Sequence, residues 1–171
     1  MTRTNASEGD ATAALEQTPK LPPRAFIRIA WVLHRAAYRL TAGRFGLWRP
    51  VTGAKFGTMR LRTVGRRSGQ PRVAIVGYYE DGPNLVTLAM NGWAEAEPAW
   101  WLNLQAQPEA TVDLADGPRT VRARVATGAE RERLWTTFSA YPGWGKDLDA
   151  LAARRSTERA VVVLEPRITH E

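Results

Sequence analysis

The chain has 171 residues, 44% of them hydrophobic and 24% charged, which suits one domain with a substantial core and is too short for two comfortable ones. It contains no cysteine, so disulfides, thiolate metal sites and a thiol nucleophile are excluded; a reducing, cytoplasmic compartment is compatible with that. The net charge of +7 is unevenly placed, with 14 basic against 3 acidic residues from Met1 to Arg72 and 10 against 14 beyond. From Lys20 to Arg72 there is no acidic residue at all. Such a basic half points to phospholipid, a phosphorylated cofactor or nucleic acid as partner, unless it is a plain solvated face. No apolar run approaches the roughly 18 residues of a membrane span, and no signal-peptide core precedes Leu21.

Residues 1–20 are polar and poor in large apolar groups, which predicts a disordered tail. Pro22-Pro23 ends it, and Arg24 to Leu40 reads as a helix. At about 100° per residue, Arg24, Arg28, Arg35 and Arg39 form one stripe, with Phe26, Ile29, Leu33, Ala36, Ala37 and Leu40 opposite. That basic amphipathic pattern suits the surface of an anionic membrane; the same apolar face would equally cover the rest of the fold or a second subunit. Thr41 to Thr58, with four glycines and Pro50, reads as an irregular loop whose aromatics pack on the core or line a pocket.

Strands are predicted at Thr58–Val64, Arg72–Tyr79 and Asn84–Ala89, the last two joined by a tight turn at Asp81-Gly82. Pro98 opens a short helix to Gln105. Ala110–Leu114 and Thr120–Ala126 form a hairpin around Asp116-Gly117. Thr127-Gly128-Ala129-Glu130 reads as a capping box for a helix to about Ala140, Leu148 to Arg154 as a shorter helix, and Val161–Leu164 as a buried strand. Six short antiparallel strands with helices at the edges argue for a closed or split barrel.

Between the first two strands lies Gly65-Arg66-Arg67-Ser68-Gly69, two arginines between glycines. Such a loop can aim backbone N–H groups and guanidinium forks at one anion, and Lys55 is a candidate extension of that site. Other chemistry is scarce. The two histidines, His34 and His170, allow no His-based triad, and no spacing of carboxylates or histidines suggests a metal. The basic half also lacks the aromatic platform that single-stranded nucleic acid wants. Difficult chemistry here would belong to a bound cofactor.

Three segments in order, Gly65 to Arg72, Pro98-Ala99-Trp100-Trp101-Leu102-Asn103-Leu104 and Ala160 to Pro166, resemble the deazaflavin-dependent nitroreductase family. These are small actinobacterial oxidoreductases that bind coenzyme F420. The resemblance covers roughly Arg24 to Pro166. It implies a mainly β fold with peripheral helices, a split β-barrel of the FMN-binding type, over residues 21–166, followed by a tail at 167–171. It further implies that Arg66, Arg67, Ser68 and Gly69 take the cofactor's phosphate and acidic tail. Ile75, Gly77, Met90 and Asn91 would lie along its ring, with Pro98, Ala99 and Trp100 closing over it. Asn91 stands where many relatives carry a lysine, and Met90 and Trp93 replace small residues. Of a tyrosine cluster over the substrate pocket, Tyr141 and Trp144 remain, with Leu148 near the place of another tyrosine.

The implied activity is hydride transfer from reduced F420 to an activated double bond, a quinone or a nitro compound, with Tyr141 the candidate hydrogen-bond donor to the acceptor. The alternatives are an FMN-dependent oxidoreductase on the same barrel and a lipid-binding or membrane-docking barrel without turnover. The expected partners are a small-molecule hydride acceptor and, through Arg24–Leu40, the inner face of the cell membrane, for a monomer or homodimer.

Overall fold

The computed structural model describes residues 46–90, 96–141, 148, 152 and 158–167. The predicted helix 24–40, the tail 1–20, the tail 167–171 beyond Arg167, Asn91, Trp93, Trp144 and most of the predicted helix 148–154 lie outside them.

Six strands and two helices follow in order: β1 (Gly57–Val64), β2 (Pro71–Asp81), β3 (Asn84–Leu88), α1 (Ala99–Ala106), β4 (Glu109–Leu114), β5 (Gly117–Val125), α2 (Gly128–Ala140) and β6 (Val161–Pro166). The strands close a barrel in the order β1-β2-β3-β6-β5-β4, antiparallel throughout. Every predicted strand is present. β2 is longer than its hydrophobic run suggested, because Pro71 and Glu80-Asp81 extend a ladder that composition alone would end at Tyr79.

Period-two alternation divides the side chains into two clusters. Met59, Leu61, Val76, Tyr78, Leu85, Val112, Val121, Val162 and Leu164 point into the barrel, which Trp100, Trp101 and Leu104 of α1 help to fill. The intervening residues Tyr79, Val86, Leu88, Val161 and Val163 point outward, where Leu134 and Phe138 of α2 cover them together with Phe56, Tyr141 and Leu148. Both α1 tryptophans therefore pack in the core.

The closed barrel has a seam along β2, where pairing changes from one neighbour to the other. β2 pairs with β1 over eight residues, Pro71 to Tyr78. With β3 its ladder covers only Tyr79 to Asp81. Where that ladder stops, Thr87 Oγ1 donates a 2.8 Å bond to the Gly77 carbonyl. That bond shows that Gly77's backbone polar groups point across the seam, and by alternation those of Ile75 and Val73 do too.

The predicted capping box does not form. Thr127 is the N-cap of α2 but makes no side-chain cap bond. Glu130 is instead held by Arg124, Nη1 to Oε2 at 2.6 Å and Nη2 to Oε1 at 2.7 Å, while Arg124 Nε reaches Glu165 Oε1 at 2.6 Å. A bidentate charge-assisted pair outcompetes a single bond to a backbone N–H. Arg124 thus ties α2 to β5 and β6. Pro98, similarly, is the N-cap of α1 rather than part of its first turn.

The hydrogen-bonded Arg124 guanidinium holds the Glu130 carboxyl below the usual carboxylate range. Its contribution is therefore present above Glu130's unfolded pKa and lost as pH falls through the folded one. Arg124→Met is expected to lower stability at neutral pH by about 1 kcal/mol, the scale for partly exposed pairs, and to flatten the acid side of the stability profile. Urea unfolding across the acid range checks both.

Candidate cofactor-binding site

The loop between β1 and β2 is a tight, internally bonded turn. Gly65 N–H donates to Gln70 O at 2.9 Å, Ser68 N–H to Gly65 O at 3.1 Å and Gly69 N–H to Gly65 O at 2.7 Å. Gly69 sits at φ +64°, a left-handed conformation that a side chain would strain. Gly65 is closely covered: a Cβ there would lie 2.9 Å from Ser68 Oγ and 3.3 Å from Arg72 Cγ. This arrangement changes the expected anion chemistry. Most of the loop's N–H groups serve the turn itself, so an anion at this loop would meet chiefly side chains.

Arg66 and Arg67 are exposed and, among the described residues, meet no carboxylate. Elsewhere exposed arginines are matched: Arg62 with Asp113, Arg119 with Asp116, Arg122 and Arg167 with Glu109, and Arg133 with Asp81. Ser68 Oγ accepts from Arg72 Nη2 at 3.3 Å and Gln70 N–H at 3.4 Å, which leaves its own proton to donate. Arg72 is thus a third cation at this loop. Inspection of the motif missed its role because it lies past the second glycine, on β2.

One buried side chain anchors the loop. Asn103 of α1, 4% exposed, accepts the Arg66 N–H on Oδ1 at 3.1 Å and donates from Nδ2 to Thr63 Oγ1 at 3.1 Å. Neither Asn103 nor Thr63 stood out in the sequence, where both read as ordinary polar members of a helix and a strand.

From this loop β2 runs along the seam with its outer face open. Val73 is 57% exposed, Ile75 is half-buried, and Gly77 offers no side chain. At the far end Met90 packs against the outer cluster. α1 begins beside β1 and β2, with Pro98 buried and Ala99 exposed; the Trp101 and Leu102 N–H groups are satisfied by Pro98 O at 3.0 and 3.2 Å. Its indoles contribute to the core, so the Trp100 ring is not available to cover a ligand.

Tyr141 is 5% exposed, its ring stacked on Phe56 at 4.4 Å and on Tyr79 at 5.7 Å. Among the described residues its hydroxyl has no hydrogen-bond partner. Tyr79 is already committed, its hydroxyl donating to Leu134 O at 3.1 Å, and burial pushes its phenol up. Tyr78 faces the barrel interior, where burial raises its pKa to about 12. Lys55 does not extend the anion site. It stands 4.5 Å over the Trp48 ring, at the opposite end of β1 from the loop. No group of residues with metal-ligand geometry occurs among the described residues.

The family model described as F420H(2)-dependent quinone reductase matches residues 31–166. An F420H(2)-dependent quinone reductase of Mycobacterium tuberculosis strain H37Rv is 34% identical over 107 residues, covering 60% of this chain and 68% of that protein. Among solved structures, one described as an F420-H2 dependent reductase (FDR-A) superposes with a TM-score of 0.55 at 24% identity, over 63% of this chain and 93% of that one. Another, described as a domain-swapped dimer, gives 0.59 at 24% identity over 81% and 99%. These two establish the barrel. The cofactor in the family description is the deazaflavin, not the FMN of the alternative reading, and the description is that of an enzyme. The chain belongs to the F420H(2)-dependent quinone reductase family, oxidoreductases whose cofactor is coenzyme F420.

Proposed function

We propose that reduced F420 lies along the seam of β2 with its anionic end at the 65–69 loop, and that a quinone or enone is reduced at the other end. The observation that carries this reading is the pair of exposed, unmatched guanidiniums at Arg66 and Arg67, set where the open edge of β2 begins. The residues present fit the group. Arg66, Arg67 and the free Ser68 proton supply charge-assisted donors for phosphate and carboxylate, and Gly69 lets the turn stay tight. The backbone groups of Ile75 and Gly77 on the seam side offer a planar ring system hydrogen bonds. Gly77 carries no side chain, and Met90, packed against the outer cluster, lies at the far end. Pro98, Ala99 and Trp100 bring the positive end of α1 to the cofactor.

Bound F420H2 would supply the hydride from its C5 carbon. The chain's part is to hold ring and acceptor face to face and to stabilise charge on the acceptor oxygen. The Tyr141 hydroxyl is the candidate for that second role. Its ring is fixed by Phe56 and Tyr79, and Tyr79's own hydroxyl is spent. One phenolic donor suits an acceptor with one oxygen at the reacting end, and a nitro group needs more.

Access of a lipid-soluble acceptor would follow if the arginine stripe of Arg24–Leu40 rests on anionic lipid. No helix among the described residues is long and apolar enough to cross a membrane.

Three measurements test these assignments. Arg66→Ala with Arg67→Ala is expected to weaken F420 binding at least about tenfold per guanidinium, with a loss that shrinks as salt rises; titration by tryptophan fluorescence reads it, and unchanged affinity would move the anion site elsewhere. Tyr141→Phe is expected to lower kcat for quinone and enone substrates about 100-fold, the lower end of the range for one oxyanion donor. A nitroaromatic that outruns both by kcat/KM in the wild type would defeat this acceptor assignment. Co-sedimentation with anionic vesicles should be reversed by salt and abolished by deleting residues 1–40; binding that survives the deletion would exonerate the helix.

A further inference from the structure

We propose that Asn103 is a positioning residue for cofactor binding, fixing the loop that carries Arg66 and Arg67 to the barrel core through one buried amide. The inference rests on the reading that these two arginines hold the anionic end of F420.

The 66–70 segment is exposed throughout, and its own turn bonds fix its shape but not its placement on the barrel. Two adjacent guanidiniums also repel each other when no anion lies between them. A loop of that kind needs a tether if it is to be pre-organised for its ligand. Asn103 provides one. Its amide orientation is determined by its partners: the Arg66 N–H can only donate, so Oδ1 must face it, and Nδ2 then faces Thr63 Oγ1. Burying a side-chain amide at 4% exposure is unfavourable unless both ends are satisfied, and here both are.

The helix behind the amide is itself well held. Trp101 and Leu104, on either side of Asn103 in α1, lie in the barrel core, and the Asn103 carbonyl accepts the Gln107 N–H at 2.8 Å to close the helix. The loop is thereby referenced to the core by a rigid element. The same helix starts at Pro98, so the amide also fixes the distance between the segment that grips the anion and the segment that covers the cofactor. Loss of the amide would free the loop relative to both.

The test compares Asn103→Ala, Thr63→Val and Thr63→Ser with Arg66→Ala/Arg67→Ala. Each is measured by F420 titration, by amide hydrogen exchange at Arg66 without cofactor, and by KM for F420H2, KM for a soluble quinone, and kcat. Asn103→Ala is expected to raise Kd and KM for F420H2 about five- to tenfold. The quinone KM and kcat should stay within about twofold of wild type, and exchange at Arg66 should accelerate. Thr63→Val should move the same quantities in the same direction, and Thr63→Ser, which restores the acceptor oxygen, should return them. If Asn103→Ala does not fold, the threonine pair still decides the question. F420 affinity unchanged in Asn103→Ala or equal in the two threonine variants, or a parallel fall of kcat and rise of both KM values, would overturn the positioning role. Unchanged affinity in the double arginine variant would overturn the anion reading itself, and this inference with it; because it is read in a different protein, the two failures stay distinct.

Discussion

Strand β2 has two edges to satisfy and a long ladder along only one. Eight residues pair with β1, while three pair with β3. A barrel that closed completely would leave no free edge, but it would also leave no backbone groups for a ligand. The cost of the open seam is a row of backbone donors and acceptors that need other partners. Thr87 takes one of them, at Gly77. Solvent or a planar ligand takes the others, and the edge is protected from pairing with another chain by Pro71 and Arg72 at its start. The proposed site is thus the place where the sheet does not finish closing, and its length is set by how far β2 outruns β3.

The electrostatics follow the same division. A formal charge of +7 gives no general anion affinity if each guanidinium already faces a carboxylate. Over β1, β4 and β5 that is what happens: Asp116 is shared by Arg49 and Arg119, Asp113 by Arg60 and Arg62, and Glu109 by Arg122 and Arg167. These shared pairs brace adjacent strands on the outer surface and partly neutralise it. At the seam's end, by contrast, Arg66 and Arg67 have no such counter-charge among the described residues. Net charge counts residues, whereas binding depends on which of them remain unmatched.

How much of this was legible in the sequence depends on the range of the interaction. All six strands could be read from alternation and turn residues, because those signals are local. The Gly65–Gly69 loop was legible for the same reason. Trp101 in the core, the bidentate Arg124–Glu130 pair that replaces the capping box, and the Asn103 tether were not. Each depends on a partner brought close by folding: Asn103 meets a residue 37 positions away and another 40 positions away. A Thr-x-x-Glu spacing predicts a cap only when no arginine on a neighbouring strand competes for the glutamate. Likewise, a loop of glycines and arginines suggests backbone donors aimed at an anion, but here the turn consumes most of those donors internally. The backbone half of that expectation is displaced by the loop's own hydrogen bonds.

At the far end of the seam, what the described residues lack is as informative as what they present. Three tyrosines lie near one another in sequence or space. Tyr78 is turned into the barrel, Tyr79 spends its proton on Leu134 O, and Tyr141 keeps a hydroxyl without a partner among the described residues. Leu148, which shares the outer cluster with Tyr141, brings bulk without a donor. A surface with one phenol and apolar neighbours discriminates by what it cannot solvate. Negative charge spread over two nitro oxygens would leave one of them poorly stabilised, whereas the single oxygen at the reacting end of a quinone or enone is matched one to one. On the proposed reading, acceptor choice therefore follows from the number of donors the outer cluster leaves free, and cofactor choice from the number of cations the loop leaves unpaired.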